Sequence, residues 1–188
     1  PDFILGIHRS YLQAGCDAVE TNTFGANKVV LGEFGLANEK WQPTEEMQQS
    51  RELIDFHNAL WASALSGASG TAMFWWWDRL DERGVYPLYR PLSTFIADVP
   101  WIGSGLRPAE VTCSDEQLRA VALQTRDRAW LWLFHPGASW ANRVIARRAP
   151  PEVQEARLEL KGLPAATYRV QWWDTQEGKV VREDQRSV

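Results

Sequence analysis

Two short segments of this 188-residue sequence carry side chains suited to binding or chemistry. Glu33 lies in a GEFG segment directly after the apolar run VVL, and a glycine beside a strand end is common where another molecule approaches the backbone closely. Trp75, Trp76 and Trp77 are followed by Asp78, in a chain with eleven tryptophans. The flat face of an indole can stack on a sugar ring as well as fill a core. The sequence therefore offers one carboxylate and one aromatic cluster as candidate site groups.

Each of these groups also has an ordinary structural interpretation. Glu33 is a solvated surface carboxylate if residues 26–34 form a short helix ending at Gly35 instead of a strand. The tryptophans fill a core if they are wedged between two layers, because an exposed indole cluster is unfavourable. Asp78 caps the following turn, and His57 is a helix-face histidine without an identifiable acid partner rather than a catalyst. Both interpretations stay open at the level of sequence.

Composition and charge exclude several classes of function. The formal net charge is −4, and no basic block provides the electrostatic surface that nucleic acids require. No apolar run approaches the roughly 18 residues of a membrane span, and the N-terminal residues lack the pattern of a signal peptide. The two cysteines, Cys16 and Cys113, are far apart and lack the CxxC spacing of a zinc site. We therefore expect no nucleic acid, membrane or metal as a partner.

The N-terminal half shows the periodicities of alternating helices and strands. A helix followed directly by a strand at the N-terminus is one unit of an α/β layer. For residues 29–33 a strand is favoured over a helix, because Gly32 would cost about 1 kcal/mol in a helix interior. The pattern predicts helices at residues 1–15, 50–65 and 92–97 and strands at residues 16–21, 29–33 and 71–77.

Beyond residue 101 the pattern changes to short strands separated by turns. Apolar and polar residues alternate over residues 129–133 and 168–172, as in a sheet that packs on one or both faces. TRD and DTQEG are turn signals between consecutive strands. The predicted strands are residues 118–124, 129–135, 156–160, 167–173 and 179–183. The predicted fold class is therefore α/β plus all-β, with a thin β-sandwich in the second half.

The first 28 residues carry one family resemblance. The segment IHRSYLQAGCDAVETNTFGANK, residues 7–28, resembles the second βα unit of the homocysteine methyltransferase domain of cobalamin-dependent methionine synthase. In that family the ETNTF segment lies at the substrate mouth, which implies mouth positions for Glu20, Thr21, Asn22 and Thr23. The glycine-and-cysteine segment that supplies the zinc thiolates of the family is missing, so the resemblance does not imply methyl transfer by this chain alone.

The rest of the chain carries a second resemblance. GEFG, FHNALWASALSGASGTAMFWWWD and YRVQWWDTQEG, within residues 29–188, resemble the C-terminal region of clan A glycoside hydrolases of the cellulase and mannanase type. The resemblance implies a partial (β/α) barrel in which Glu33 is the catalytic nucleophile and Trp75, Trp77 and Asp78 bind the substrate. A retaining hydrolase needs a second carboxylic acid about 5 Å from the nucleophile. In this clan the second acid comes from an upstream strand that is absent here.

These resemblances predict three regions, namely a methionine-synthase-like fragment at residues 1–28, a barrel fragment at 29–101 and a truncated β-sandwich at 102–188. They imply an incomplete retaining glycoside hydrolase that acts on a β-linked polysaccharide or oligosaccharide. Such an enzyme has a carbohydrate as its partner, needs no cofactor and is secreted or periplasmic. The alternatives are a homocysteine S-methyltransferase fragment and a non-catalytic sandwich that binds carbohydrate or has a structural role.

The junction between the two resemblances is too short for consecutive parallel strands. Such strands need a crossover of about 10 to 12 residues, whereas only residues 22–28 separate the two predicted strands. Three explanations are open: the second segment is helical, the strands pair antiparallel, or the sequence is a chimera of two genes. We favour the chimera.

Overall fold

The computed structural model describes residues 33–34, 40, 42–49, 53–67 and 73–188. The chain divides into two compact units, Pro1–Gly32 and Glu33–Val188, and every described residue belongs to the second unit. The predicted helix at residues 1–15, the predicted strand at 16–21 and the mouth residues 20–23 lie outside the described residues.

Two short strands form a parallel pair at the start of the described unit. Strand β1 (Glu33–Phe34) pairs with β2 (Met73–Phe74), and Glu33 lies opposite Met73. The end of the predicted strand at residues 29–33 is therefore extended and runs parallel to the strand predicted at 71–77. A parallel pair joined by a long connection containing a helix is the βαβ arrangement common to α/β folds.

The strand predicted to reach Trp77 ends earlier. After β2, residues 75 and 76 form a turn, and Trp77 is the first residue of a helix. The Trp76 carbonyl accepts hydrogen bonds from the backbone N–H groups of Arg79 (3.0 Å) and Leu80 (3.2 Å), which turns the backbone into that helix. The strand predicted at residues 71–77 therefore ends at Phe74, and the three tryptophans lie beyond it.

Besides a π-helix at Ala141–Ile145, four α-helices and one 3₁₀ turn are described. They are α1 (Glu45–Gln49), α2 (Ile54–Leu65), α3 (Trp77–Glu82), the 3₁₀ turn (Tyr86–Leu88) and α4 (Tyr89–Ile96). Helix α2 matches the helix predicted at residues 50–65 over most of its length. Helix α4 begins three residues before the predicted helix at 92–97, because Pro91 falls in its first turn, where the missing N–H costs no helical hydrogen bond.

The core is built around α2, which is buried along one broad face. Phe56 packs edge-on against Tyr89 with ring centroids 5.7 Å apart, and Trp61 packs against Phe95 at 5.1 Å. These contacts join α2 to α4. The buried apolar residues of the cluster are Met47, Leu53, Phe56, Leu60, Trp61, Ala64, Leu65, Leu80, Leu92, Val99, Leu123, Trp130 and Trp132.

The second half consists of short strands, as its alternation predicts. The strands are β3 (Arg107–Pro108), β4 (Val111–Cys113), β5 (Arg119–Gln124), β6 (Ala129–Phe134), β7 (Leu158–Leu160), β8 (Thr167–Asp174) and β9 (Lys179–Ser187). All five predicted strands are present within a few residues of their predicted ends. The two short strands β3 and β4 were not predicted, because two or three residues are too few to show an alternation.

These strands form three separate antiparallel sheets. The first has the order β3-β5-β6, the second pairs β4 with β7, and the third is the hairpin β8–β9, with a bulge between Trp172 and Trp173. Leu123 of β5 and Trp130 and Trp132 of β6 belong to the same core as α2. The partial barrel and the β-sandwich, in contrast, are not tested by these pairings and stay predictions.

None of the helices in the described part of the chain is long and apolar enough to span a membrane.

Candidate functional site

The residues predicted to form a site lie on or directly after the parallel pair. Glu33 is in β1, and Trp75 follows β2 in a turn, where it is 54% exposed. Trp77 is the first residue of α3, and the side chains of Glu33 and Trp77 lie outside the described residues. Asp78 is exposed, and its carboxylate lies 3.8 Å from the Arg79 guanidinium. Only Trp75 and Asp78 are thus described as side chains, and both face solvent.

Asp78 is not the cap of its helix, contrary to the structural interpretation of the sequence. Trp76 occupies the N-cap position and has no capping side chain. Asp78 lies in the first turn, where its negative charge interacts favourably with the helix dipole. Its pairing with Arg79 is an exposed ion pair, which contributes little to stability.

A buried polar cluster that the sequence did not indicate lies at the start of α2. Glu46 of α1 is only 1% exposed, and its Oε1 accepts a hydrogen bond of 2.9 Å from the backbone N–H of Asp55. The N-cap residue of α2, Leu53, cannot cap the helix with its side chain, so Glu46 satisfies one of the first N–H groups from another helix. Arg83 donates to the backbone carbonyls of Glu46 (3.2 Å) and Met47 (2.8 Å) and holds α1 in place.

Burial sets the protonation of Glu46. Removal from water raises the pKa of Glu46 from 4.5 to about 7, and the nearby negative charge of Asp55 adds to the increase. Hydrogen bonds from the backbone amides of Asp55 and Ile54 and the charge of Arg83 act in the opposite direction. Both the protonated and the ionised carboxyl are therefore populated near neutral pH.

The first turn of α2 also holds the loop that follows β6. Asp55 Oδ1 accepts a 2.9 Å hydrogen bond from the backbone N–H of Trp140, and Asn58 Nδ2 donates to the carbonyl of Ala138 at 2.9 Å. The residues of the first pair are 85 apart in sequence, and those of the second pair are 80 apart. The polar residues at the start of α2 are thus joined to the C-terminal sheets.

His57 connects the same helix to the β8–β9 hairpin. Its Nε2 lies 3.2 Å from the carbonyl of Thr175, and its Nδ1 lies 3.4 Å from Oδ1 of Asn58. Burial lowers the pKa of His57 below its usual 6.5, and the contacts with Thr175, Asn58 and Asp174 only partly offset this effect. The geometry agrees with the expectation of a hydrogen-bonded histidine on a helix face.

The sequence does not indicate that Glu46 is buried and Glu45 exposed, because the two residues are adjacent in one acidic run. Only the fold places Glu46 in the interior. A metal centre does not fit the described residues, among which no three His, Cys, Asp or Glu side chains converge. Cys113 is a half-buried free thiol on β4. The cluster around Glu46 therefore contains a buried titratable carboxyl but lacks a ligand set for zinc.

Comparison with known proteins finds similarity in the N-terminal part of the chain. Residues 1–74 match the family model of homocysteine S-methyltransferase. The methionine synthase of Mycobacterium tuberculosis is 55% identical over 38 residues, which cover 20% of this chain and 3% of that protein. The methionine synthase of Mycobacterium leprae is 53% identical over 38 residues, again 20% of this chain and 3% of the relative. No solved structure matches the chain.

These matches contradict the glycoside hydrolase interpretation and its carbohydrate partner. The matched region reaches residue 74 and contains Glu33, so the proposed nucleophile lies inside a methyltransferase-like segment. The cellulase-like and carbohydrate-metabolism assignments are therefore wrong. The family from which the roles of Glu33, Trp75, Trp77 and Asp78 were taken is contradicted, but no finding tests the roles themselves, which stay predictions. The resemblance of residues 7–28 to homocysteine methyltransferase is confirmed.

Proposed function

We propose that residues 1–74 are the substrate-side part of a homocysteine S-methyltransferase domain and that this chain binds homocysteine. The observation that carries the proposal is the match of residues 1–74 to that family, which includes the ETNTF segment at residues 20–24. The relatives are named methionine synthases, and the chain spans only a small part of their length. The activity of a whole methionine synthase is therefore not assigned to this chain.

The resemblance implies that Glu20, Thr21, Asn22 and Thr23 lie at the substrate mouth, and their chemistry suits an amino acid. The Glu20 carboxylate accepts hydrogen bonds from an ammonium group, and the Asn22 amide donates to a carboxylate. Threonine hydroxyls both donate and accept. Homocysteine presents an ammonium group and a carboxylate at one end and a thiol at the other, so these residues suit its amino-acid end.

The residues of this chain do not fit the zinc ion of the family. Zinc activates a thiol by stabilising its thiolate and is held by several Cys or His side chains. The chain has two cysteines, Cys16 and Cys113, and the described one has no convergent ligands within the described residues. We therefore assign binding of homocysteine, and not the transfer of a methyl group, to the residues of this chain.

Isothermal titration calorimetry with L-homocysteine tests the proposal, with a cello-oligosaccharide as the negative control ligand. We expect saturable binding of L-homocysteine and weaker binding after Glu20→Gln or Asn22→Ala. Loss of one hydrogen bond to a charged group costs about 1.5 to 3 kcal/mol, or roughly tenfold to a hundredfold in Kd. Glu39→Gln removes a carboxylate outside ETNTF and serves as the matched control. Absence of binding by a chain that circular dichroism shows to be folded contradicts the proposal.

A further inference from the structure

The β8–β9 hairpin contacts the helices through its turn and the residues beside it. Trp173 packs edge-on against Phe95 of α4 with ring centroids 5.4 Å apart. Gly178 has a φ of +67°, and a Cβ added there would lie 2.7 Å from the Cα of Pro91. The Thr175 carbonyl lies 3.2 Å from His57 Nε2 on α2. Three close contacts therefore dock this turn on α2 and α4.

The body of the hairpin is largely exposed. Along β9 every residue from Lys179 to Ser187 is exposed except the half-buried Asp184. The hairpin pairs only with itself among the described strands. Two-stranded hairpins are marginally stable alone in water, so the position of this one depends on the docking of its turn.

The imidazole of His57 lies at the centre of this docking contact. It is 8% exposed and lies 5.9 Å from the Trp61 ring of its own helix, measured between ring centroids. Asn58 Oδ1 faces its Nδ1 from α2, and the Thr175 carbonyl and the negative charge of Asp174 face it from the hairpin. From α4, the apolar ring of Phe95 contacts both Trp61 and Trp173.

We propose that His57 is an acid-sensitive latch, whose neutral imidazole holds the β8–β9 turn on α2 and whose protonation releases it. A neutral imidazole donates from Nε2 to the Thr175 carbonyl and needs no charge to be buried. Protonation places a charge in the apolar contact between Trp61 and the docked turn. The hydrogen bond that Nδ1 then donates to Asn58 Oδ1 and the charge of the partly exposed Asp174 carboxylate compensate for only part of that cost. Release into water solvates the imidazolium.

The direction of the pH dependence follows from the same geometry. Burial lowers the pKa of His57 below 6.5 when the hairpin is docked. His57 therefore binds the proton more tightly when the hairpin is released than when it is docked. Docking is therefore fully favourable above the pKa of a solvated histidine and weakens as the pH falls below it. Asp174 stays ionised over this range, because hydrogen bonds from the backbone amides of Glu177 and Gln176 lower its pKa below 3.8.

Hydrogen–deuterium exchange at several pH values tests the latch, after correction for the intrinsic pH dependence of exchange. We expect the protection of peptides covering β8, the turn and β9 to fall several-fold between about pH 7 and about pH 5. Peptides covering α2 and β5–β6 do not lose protection over the same range, because they belong to the core. Constant protection of the hairpin, or loss in all three regions together, overturns the proposal.

Two variants and a control separate the latch from general acid sensitivity. His57→Gln retains a side-chain N–H donor for Thr175 but cannot be protonated, so the pH dependence of hairpin protection disappears. Asp174→Asn keeps an acceptor oxygen for the turn but removes the charge that favours imidazolium, so release moves to higher pH. His135→Gln removes an imidazole elsewhere and leaves the dependence unchanged. An unchanged transition in Asp174→Asn overturns the proposal even if His57→Gln does not fold.

Discussion

At the scale of single residues, Glu46 shows how burial converts an ordinary surface side chain into a titrating group near neutral pH. Its Oε1 caps α2 through the backbone N–H of Asp55, while almost none of the residue reaches solvent. The ionised form therefore costs free energy in the fold that it does not cost in the unfolded chain. Glu45, the preceding residue, is exposed and carries no such penalty.

Glu46→Gln is expected to stabilise the protein at alkaline pH. The pKa of Glu46 is raised from 4.5 to about 7, so the native state binds the proton more tightly than the unfolded chain does. The contribution of protonated Glu46 to the free energy of unfolding is therefore complete below pH 4.5 and is lost as the pH rises through 7. The amide keeps the hydrogen-bonding oxygen and avoids the buried charge. The variant should gain up to about 3 kcal/mol in the free energy of unfolding at high pH and little at acidic pH.

Urea denaturation across the pH range measures this difference. Glu45→Gln on the exposed face of α1 should change the free energy of unfolding by no more than about 0.5 kcal/mol at any pH. A gain for Glu46→Gln that is the same at acidic and alkaline pH would contradict the assignment of the effect to a buried charge.

At the scale of elements, glycine determines how closely the β8–β9 turn approaches α4. Gly178 and Gly84 both have positive φ angles, of +67° and +59°, which favour glycine over every L residue. They differ in their surroundings. A Cβ at Gly178 would meet the backbone of Pro91 at 2.7 Å, whereas nothing lies within 4 Å of one at Gly84.

Gly178→Ala is expected to cost more stability than Gly84→Ala. Both variants force alanine into a left-handed conformation, at about 1 to 2 kcal/mol. Only Gly178→Ala must also displace the turn from α4, which weakens the contact between Trp173 and Phe95. Thermal unfolding followed by circular dichroism compares the two variants directly. Equal losses of stability would mean that the turn does not pack closely on α4 in solution.

At the scale of the whole described unit, helices and sheets share one core. Trp61 of α2 is buried in the same cluster as Leu123 of β5 and Trp130 and Trp132 of β6. Trp132 is 5% exposed and stacks on Phe134 with ring centroids 4.4 Å apart. Because one cluster spans the residue-101 boundary predicted from sequence, we expect the regions on either side of it to unfold together.

Trp132→Ala is expected to lower the free energy of unfolding of α2 and the β3-β5-β6 sheet alike. Truncation of a buried tryptophan costs about 3 to 5 kcal/mol through lost burial and the cavity left behind. Trp75→Ala removes the same side chain from a position that is 54% exposed and should cost far less. Hydrogen exchange in peptides from α2 and from β5–β6 reports on both regions. Destabilisation confined to β5–β6 would show that the core is not cooperative.

Local patterns in the sequence account for much of the described fold. The alternation over residues 129–133 and 168–172 predicted β6 and β8, and the spacing of apolar residues predicted most of α2. The ETNTF segment led to the resemblance that the family match confirms. These features are short-range, because a strand or helix imposes its own period on neighbouring residues whatever it packs against.

The contacts that set the burial and the pKa values of polar residues are long-range, and only the tertiary structure determines them. Nothing near His57 in sequence indicates the Thr175 carbonyl, which is 118 residues away. Nor does the acidic run at the start of α1 indicate that Glu46 is buried and Glu45 exposed. Three consecutive tryptophans suit a strand end as well as a helix start, and hydrogen bonds to Trp76 selected the helix. Local sequence patterns determined elements such as β6, β8 and most of α2, whereas packing between distant elements determined which side chains leave water and therefore which ones titrate near neutral pH.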